Sequence, residues 1–316
     1  MRRSTCKNIL ILSVMLMAFV GCSNDDNDIY IAPKTVNDIN LTFNEVDTPL
    51  TPEDPGNYSV WFSMVGDKIY FMNPSNTPLT QFALEYNITS NNFRSKTPDN
   101  AICACGYSSK IITDGINLYH IANEAVTYSP TTDSWSALNY PDEFRNNNGE
   151  AGVAYLNGKI YFFGGRTAST TFKYYEIATD SWHTAPNGPY VNTESELIAV
   201  NNALYSLGGR SVDDQKNFSS YSETNGWTVL PDLPFNLSGY STEHQTAVYN
   251  NRYIFALTQN DIHIYDTIEG IWKTEPIEIP SYNLNYENIF INGNTLFMTG
   301  KTTSNEFALI EINIAL

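Results

Sequence analysis

The sequence predicts an all-β fold, a propeller of six blades, from three observations. The segment Asn157-Gly-Lys-Ile-Tyr-Phe-Phe-Gly-Gly165 returns in degraded form along the chain. The copies are spaced at about 40 to 50 residues, the period of blade-forming repeats. β signals fill every repeat, and long helical periodicity is absent. The echoes are Gly66-Asp-Lys-Ile-Tyr70, Gly115-Ile-Asn-Leu-Tyr119, Asn201-Asn-Ala-Leu-Tyr-Ser-Leu-Gly-Gly209, Asn250-Asn-Arg-Tyr-Ile-Phe255 and Asn292-Gly-Asn-Thr-Leu-Phe-Met-Thr-Gly300. A single unit of this kind cannot bury its apolar face alone, so six of them predict a closed ring.

Within the best-formed copy, Ala151-Gly-Val-Ala-Tyr-Leu156 runs to Asn157-Gly158 and returns from Lys159 to Gly165. Asn-Gly between two apolar runs signals a type I′ hairpin, because both residues accept positive φ. These runs are strands A and B of a blade. A third segment carries an aromatic, a polar turn and a second aromatic: Tyr175-Glu-Ile-Ala-Thr-Asp-Ser-Trp182. The frame repeats at Tyr128 to Trp135, Tyr265 to Trp272 and Tyr86 to Phe93, and in shortened form at Tyr221 to Trp227. These segments are strands C and D. Their rings are expected to fill the wedge between blades, with the OH and NH groups bonded to backbone.

The glycine pair ending strand B, the Tyr before a turn and the Trp after it resemble the kelch repeat over residues 58 to 316. The pair is intact at Gly164-Gly165 and Gly208-Gly209 and degraded elsewhere. The last unit supplies strands A to C and then the chain stops. The resemblance implies closure by an N-terminal strand, and Ile39-Asn-Leu-Thr-Phe43 has the alternation to supply strand D of the final blade.

With 316 residues, 42% hydrophobic and 13% aromatic, the chain can bury a large core in one domain. Its formal net charge of −17 repels nucleic acid and anionic lipid headgroups. The N-terminus has a basic start (Arg2, Arg3, Lys7) and an apolar stretch from Ile9 to Val20, too short to span a bilayer. Phe19-Val-Gly-Cys22 resembles a bacterial lipobox, which implies cleavage before Cys22 and lipidation of its sulfur. The acidic run Ser23 to Asp28 reads as a tether. It also resembles the surface-export signal of Bacteroidetes-type lipoproteins, and Ser23 resembles outer-membrane sorting. The expected organisation is a signal peptide over 1–21, a lipidated Cys and disordered tether over 22–37, and the propeller over 38–316. The expected address is the outer membrane, on the cell surface or the periplasmic side. Cys103 and Cys105 are too close for an unstrained disulfide and read as buried thiols.

Strand A begins and strand B ends at one rim beside the channel. Counting back from the strand B anchor gives Glu150, Glu194 and Glu243 in three adjacent blades; counting forward gives Arg166, Arg210 and Lys301. Hairpin register pairs Glu150 with Arg166 and Glu194 with Arg210. Such pairs are intrablade ion pairs worth about 0 to 1 kcal/mol when exposed, or a polar ring that grips hydroxyls and carboxylates. The loops on this face carry Tyr140, Phe144, Tyr190, Phe235, Tyr240, Tyr282 and Tyr286, whose planes suit sugar stacking. His244 is the one histidine placed to act as acid or base there.

No metal-ligand spacing, Gly-x-Ser-x-Gly elbow or phosphate loop is present in the sequence, so no catalytic residue, metal or cofactor is assigned. The expected function is a cell-envelope, monomeric binding module for a glycan or protein partner. The alternative is a carbohydrate-active propeller similar to the sialic acid mutarotases (N-acetylneuraminate epimerases), using the same rim residues.

Overall fold

In the computed structural model the described residues are 34–44, 61–73, 82–97, 110–121, 124–145, 148–239, 244–277, 282–283, 288–302 and 307–316. Six antiparallel sheets are present among the described residues; five of them are built from four consecutive strands, A to D, in sequence order. Blade 1 holds Trp61–Val65, Lys68–Asn73, Phe82–Asn87 and Asn92–Ser95. Blade 2 holds Ile111–Thr113, Leu118–Ile121, Ala125–Ser129 and Ser134–Ala137. Blade 3 holds Ala151–Leu156, Lys159–Gly164, Phe172–Glu176 and Ser181–Ala185. Blade 4 holds Glu196–Val200, Ala203–Leu207, Phe218–Ser222 and Gly226–Val229, and blade 5 Thr246–Tyr249, Tyr253–Leu257, Asp261–Asp266 and Ile271–Pro276.

Blade 6 takes strands A to C from Ile289–Asn292, Thr295–Thr302 and Phe307–Ala315. Its strand D is Asn40–Asn44, antiparallel to the last strand with Asn40 opposite Ala315 and Phe43 opposite Ile312. The N-terminal closure expected from the sequence is therefore present. A short strand, Tyr282–Asn283, adds to the far end of strand B. Ordered packing also begins earlier than residue 38. The turn Val36–Asp38 is capped by Thr35, and Val36 and Ile39 are fully buried against blades 5 and 6.

Strands A and B are apolar on both faces because the sheets stack on one another, and the burial falls into six clusters, one between each neighbouring pair of blades. Tyr161, Phe163, Phe172, Leu197, Leu204 and Tyr221 make the contact between blades 3 and 4. Phe62, Phe71, Phe290, Phe297 and Leu309 join blade 6 back to blade 1. A fully buried Leu or Phe side chain is worth about 1.5–3 kcal/mol, so this ring of contacts dominates the stability.

The Tyr and Trp of the C–D frame stitch the blades, though only half as expected. The indole N–H groups do donate to backbone: Trp135 to Thr97 O at 2.9 Å, Trp182 to Asn139 O at 2.8 Å and Trp227 to Pro186 O at 3.1 Å, each in the strand preceding its blade or the loop that follows that strand. The phenols instead donate to side chains in their own turns, Tyr86 to Asn91, Tyr128 to Asp133 and Tyr175 to Asp180, at 2.7, 2.6 and 2.7 Å. Those acceptors have φ of 49°, 53° and 48°, left-handed values that Asn and Asp tolerate; in blade 5 the same place is held by Gly270.

Candidate functional site

The rim is built by the glycine pairs. Gly164 and Gly208 have φ of 72° and 64°, and a Cβ on either would lie 2.2 Å from a carbonyl oxygen of the following loop, Asn192 O or Leu237 O. Bare backbone lets that loop press in, and Gly165 and Gly209 donate to the same two carbonyls at 3.2 Å. The next residue then turns back to the start of strand A: Arg166 N donates to Gly149 O at 2.8 Å and Arg210 N to Thr193 O at 3.0 Å. Arg166 and Arg210 thus leave the rim at matching positions, both exposed.

Glu150 and Glu194 stand opposite, both buried and both in left-handed backbone, φ 62° and 54°. For a residue with a Cβ that conformation costs on the order of 1–2 kcal/mol. A backbone bond from Glu194 N to Glu150 O, 2.7 Å, fixes one to the other across the blade boundary. Arg210 lies over both carboxylates, with Nη1 3.3 Å from Glu150 and Nε 3.7 Å from Glu194. Its side chain is 61% exposed, against 4% and 9% for the two glutamates. The Arg210–Glu194 pair matches the expected register. The described ion pair of Glu150, however, reaches into the next blade to Arg210, because the shared backbone bond draws the two strand starts together.

Equal counting fails in blade 5. Its A–B turn holds three residues, Asn250 to Arg252, where blades 3 and 4 use two, so Val248 pairs with Ile254 while Ile198 pairs with Tyr205. The position of Glu150 and Glu194 is consequently held by His244; Glu243 lies outside the described residues. Lys301 does not leave the rim as a loop residue: it continues strand B of blade 6, its backbone between Asn283 and Phe307.

One layer below, charged side chains span the axis. Lys110, preceding strand A of blade 2, pairs with Glu196 at the start of strand A of blade 4, each side chain 2% exposed. Thr246 of blade 5 donates to the other Glu196 oxygen at 2.9 Å. His244 crosses beside them: its Nε2 lies 2.8 Å from Ile111 O of blade 2 and so donates to it, while its backbone N donates to Asn288 of blade 6 at 2.7 Å. Burial and the Lys110 ammonium push the His244 imidazole down to about 3, against the pull of the Ile111 and Phe62 carbonyls. The ring is neutral at physiological pH and too weak a base to serve as the acid or base expected of it. Sequence counting stopped at the outermost position and so missed Lys110 and Glu196, although both lie nine residues before their anchors, Tyr119 and Tyr205.

The expected aromatic platforms are packing groups where they are described. Tyr140 and Phe144 stack on Trp182 at 5.0 and 5.7 Å, Tyr190 lies against Phe163 at 6.1 Å, and Phe235 stacks on His263 at 3.6 Å. Tyr240 and Tyr286 lie outside the described residues, as do Cys22, Cys103 and Cys105. Among the described residues no three His, Cys, Asp or Glu side chains gather as a metal site.

No protein-family model matches the chain. Among curated proteins it is similar to Kelch-like protein 15 of Homo sapiens, 26% identical over 184 residues, covering 47% of this chain and 29% of that protein. It is also similar to Kelch-like protein terF of Aspergillus terreus, 32% identical over 135 residues, covering 37% of this chain and 29% of that protein. Alpha-scruin of Limulus polyphemus is 30% identical over 143 residues, 41% of this chain and 15% of that protein. The chain thus spans under a third of the length of the relatives it matches. Among solved structures, that of YjhT superposes with a TM-score of 0.59 at 14% identity, over 84% of this chain and 99% of the other. Five four-stranded blades and a sixth with a short added strand, glycine pairs where the next loop leaves no room for a side chain, and indoles latched to the preceding blade agree with these likenesses: the chain is a six-bladed β-propeller built of kelch-type repeats.

Proposed function

We propose that this propeller is a binding module whose rim at blades 3 and 4 holds a carboxylate-bearing protein partner. The observation that carries the reading is Arg210, exposed to solvent yet oriented from beneath by two buried carboxylates. A guanidinium fixed in this way keeps donors free for a partner carboxylate and loses little freedom on binding. Arg166 leaves the matching position of the neighbouring blade, so two cations face outward on a chain of net charge −17. The Lys110–Glu196 pair crosses the axis directly below and its charges are already paired, which favours a macromolecular surface at the rim over a charged small molecule entering the axis. A glycan bearing a carboxylate meets the same chemistry. The mutarotase alternative is less well supported, because it needs an acid and a base, and His244 is held neutral and bonded to backbone.

The lipobox resemblance completes the proposal: Cys22 anchors the module at the outer membrane, with the partner in the cell envelope or outside it. The test is a screen of wild type and an Arg166→Ala, Arg210→Ala double variant against a glycan array and an acidic-peptide library. Ligands bound by wild type and lost by the variant support the rim; equal binding by both removes it from consideration.

A further inference from the structure

We propose that the wedge between blades 2 and 3, at the end away from the rim, binds one small, uncharged, polyhydroxylated molecule, a monosaccharide or a cyclic polyol. The space there has a volume of about 290 Å³. It exists because blade 2 carries short side chains where its neighbours carry long ones. Thr127 of strand C stands between Tyr119 of strand B and Ser136 of strand D. The places of Thr127 and Ser136 are held by Glu85 and Arg94 in blade 1, and by Tyr174 and His183 in blade 3. The residue before Ile69 and Ile160, the strand B partners of Tyr86 and Tyr175, is Lys68 or Lys159; before Leu118, the partner of Tyr128, it is Asn117.

The long residues occupy their wedges by bonding one another. Glu85 accepts from the Tyr70 phenol at 3.0 Å and pairs with Lys96 at 3.2 Å. Tyr174 stacks on His183 at 4.9 Å, and the Lys159 ammonium lies 4.9 Å from the centre of its ring. In blade 2, Asn117, Thr127 and Ser136 line an open space instead. Tyr119, Tyr175, Leu138 and Ile177 form its wall and are themselves packed in the blade 2–3 cluster. The three short residues belong to no apolar cluster, so the gap is what their size leaves.

The chemistry of the lining selects the occupant. Asn117 supplies an amide, and Thr127, Ser129, Ser134 and Ser136 supply hydroxyls, groups that both donate and accept. Set among Leu138 and Ile177, they match a ring that carries hydroxyls on its edge and C–H groups on its face. No Lys, Arg or His lines the space and its one carboxylate is Asp180, so an anion meets only like charge. An ammonium finds that carboxylate already engaged, by the Tyr175 phenol at 2.7 Å and Asn139 N at 2.9 Å. The volume is that of about ten liquid waters, at the lower limit of ligand pockets, which suits a single ring. Ser134, Ser136 and Asp180 are exposed, so the wedge is open to solvent. Asn117, Ser129, Ser134, Ile177 and Asp180 lie at the A–B and C–D turns, opposite the rim, and the site stands or falls without the reading made for Arg210.

The test is saturation-transfer NMR and calorimetry of the full chain with glucose, galactose, N-acetylglucosamine and myo-inositol, and with glucuronate as the charged counterpart. Wild type is expected to bind at least one uncharged probe with millimolar or better affinity, and glucuronate at least about tenfold more weakly than the best of them. Preference for a sugar or for inositol then says which of the two the wedge takes. Thr127→Tyr with Ser136→His installs the pair that blade 3 already carries and is expected to weaken binding by about tenfold or more. Should that variant melt early, Ser136→Arg changes one exposed position and reads the same loss. Absence of binding by wild type, equal binding of glucuronate, or unchanged affinity in both variants would overturn the proposal.

Discussion

Replacing Glu196 by Gln tests the account of the axis most directly. The Lys110 ammonium, 2% exposed, would lose its counter-charge while keeping its position among strands from several blades. Breaking one side of a buried pair typically costs about 3–5 kcal/mol, because the remaining charge stays desolvated. At an unfolding entropy of about 2.1 cal/mol/K per residue, a propeller of this size loses just under about 2 °C of melting temperature per kcal/mol, so a fall of roughly 5–9 °C is expected. The pair itself is a different matter: its desolvation offsets most of its Coulombic gain. Lys110→Met with Glu196→Leu should therefore recover most of the loss, less about 1–3 kcal/mol for the Thr246 hydroxyl left without its acceptor. Differential scanning calorimetry and urea unfolding of the two single variants and the double variant give the coupling energy. Single variants within about 1 kcal/mol of wild type, or effects that simply add, would refute a buried ion pair across the axis.

Three further outcomes are expected, two from the geometry and one from the proposed anchor. Burial holds the His120 and His263 imidazoles down near 4 and His244 near 3, well below the ordinary histidine value. The unfolded chain therefore binds more protons as pH falls below about 6.5, and stability should decline from there toward pH 4 while the imidazole NMR shifts of these three residues in the folded protein stay flat above pH 5; titration of any of the three near pH 6.5 would contradict the burial. Gly164→Ala would set a Cβ 2.2 Å from Asn192 O at a φ of 72°, and should cost at least about 1–3 kcal/mol by chemical denaturation, with Gly208→Ala behaving alike. For the proposed anchor, Cys22→Ala should move the protein from the detergent phase to the aqueous phase in Triton X-114 partitioning; an unchanged distribution would remove lipidation.

The blades were readable because each hairpin states its own turn chemistry: Asn157-Gly158 and the Tyr-to-Trp frame are local signals that need no knowledge of the ring. The rim was readable only where turn lengths match. Glu150 and Glu194 come out at equivalent places because blades 3 and 4 share a two-residue turn, whereas one extra residue at Asn250 to Arg252 exchanges Glu243 for His244. The partners across the axis were not legible at all. Lys110 meets Glu196 because of how six strands converge, a distance that spacing along the chain does not encode. The same holds for Glu150, whose salt bridge reaches into the neighbouring blade. The phenols of Tyr128 and Tyr175 found carboxylates instead of backbone for a local reason, since the left-handed Asp in each turn points its oxygen back at the ring.

The pairing of Asn40–Asn44 with Phe307–Ala315 has a consequence for how this chain is made. Blades 1 to 5 close by neighbouring strands and can form as each leaves the ribosome. Blade 6 joins the first described strand to the last, the contact with the longest loop to close and hence the slowest to form. Until it does, Phe307–Ala315 presents an apolar strand with an unpaired edge, open to any extended segment nearby. The cell must therefore shelter one particular strand for the interval between its synthesis and the locking of the ring.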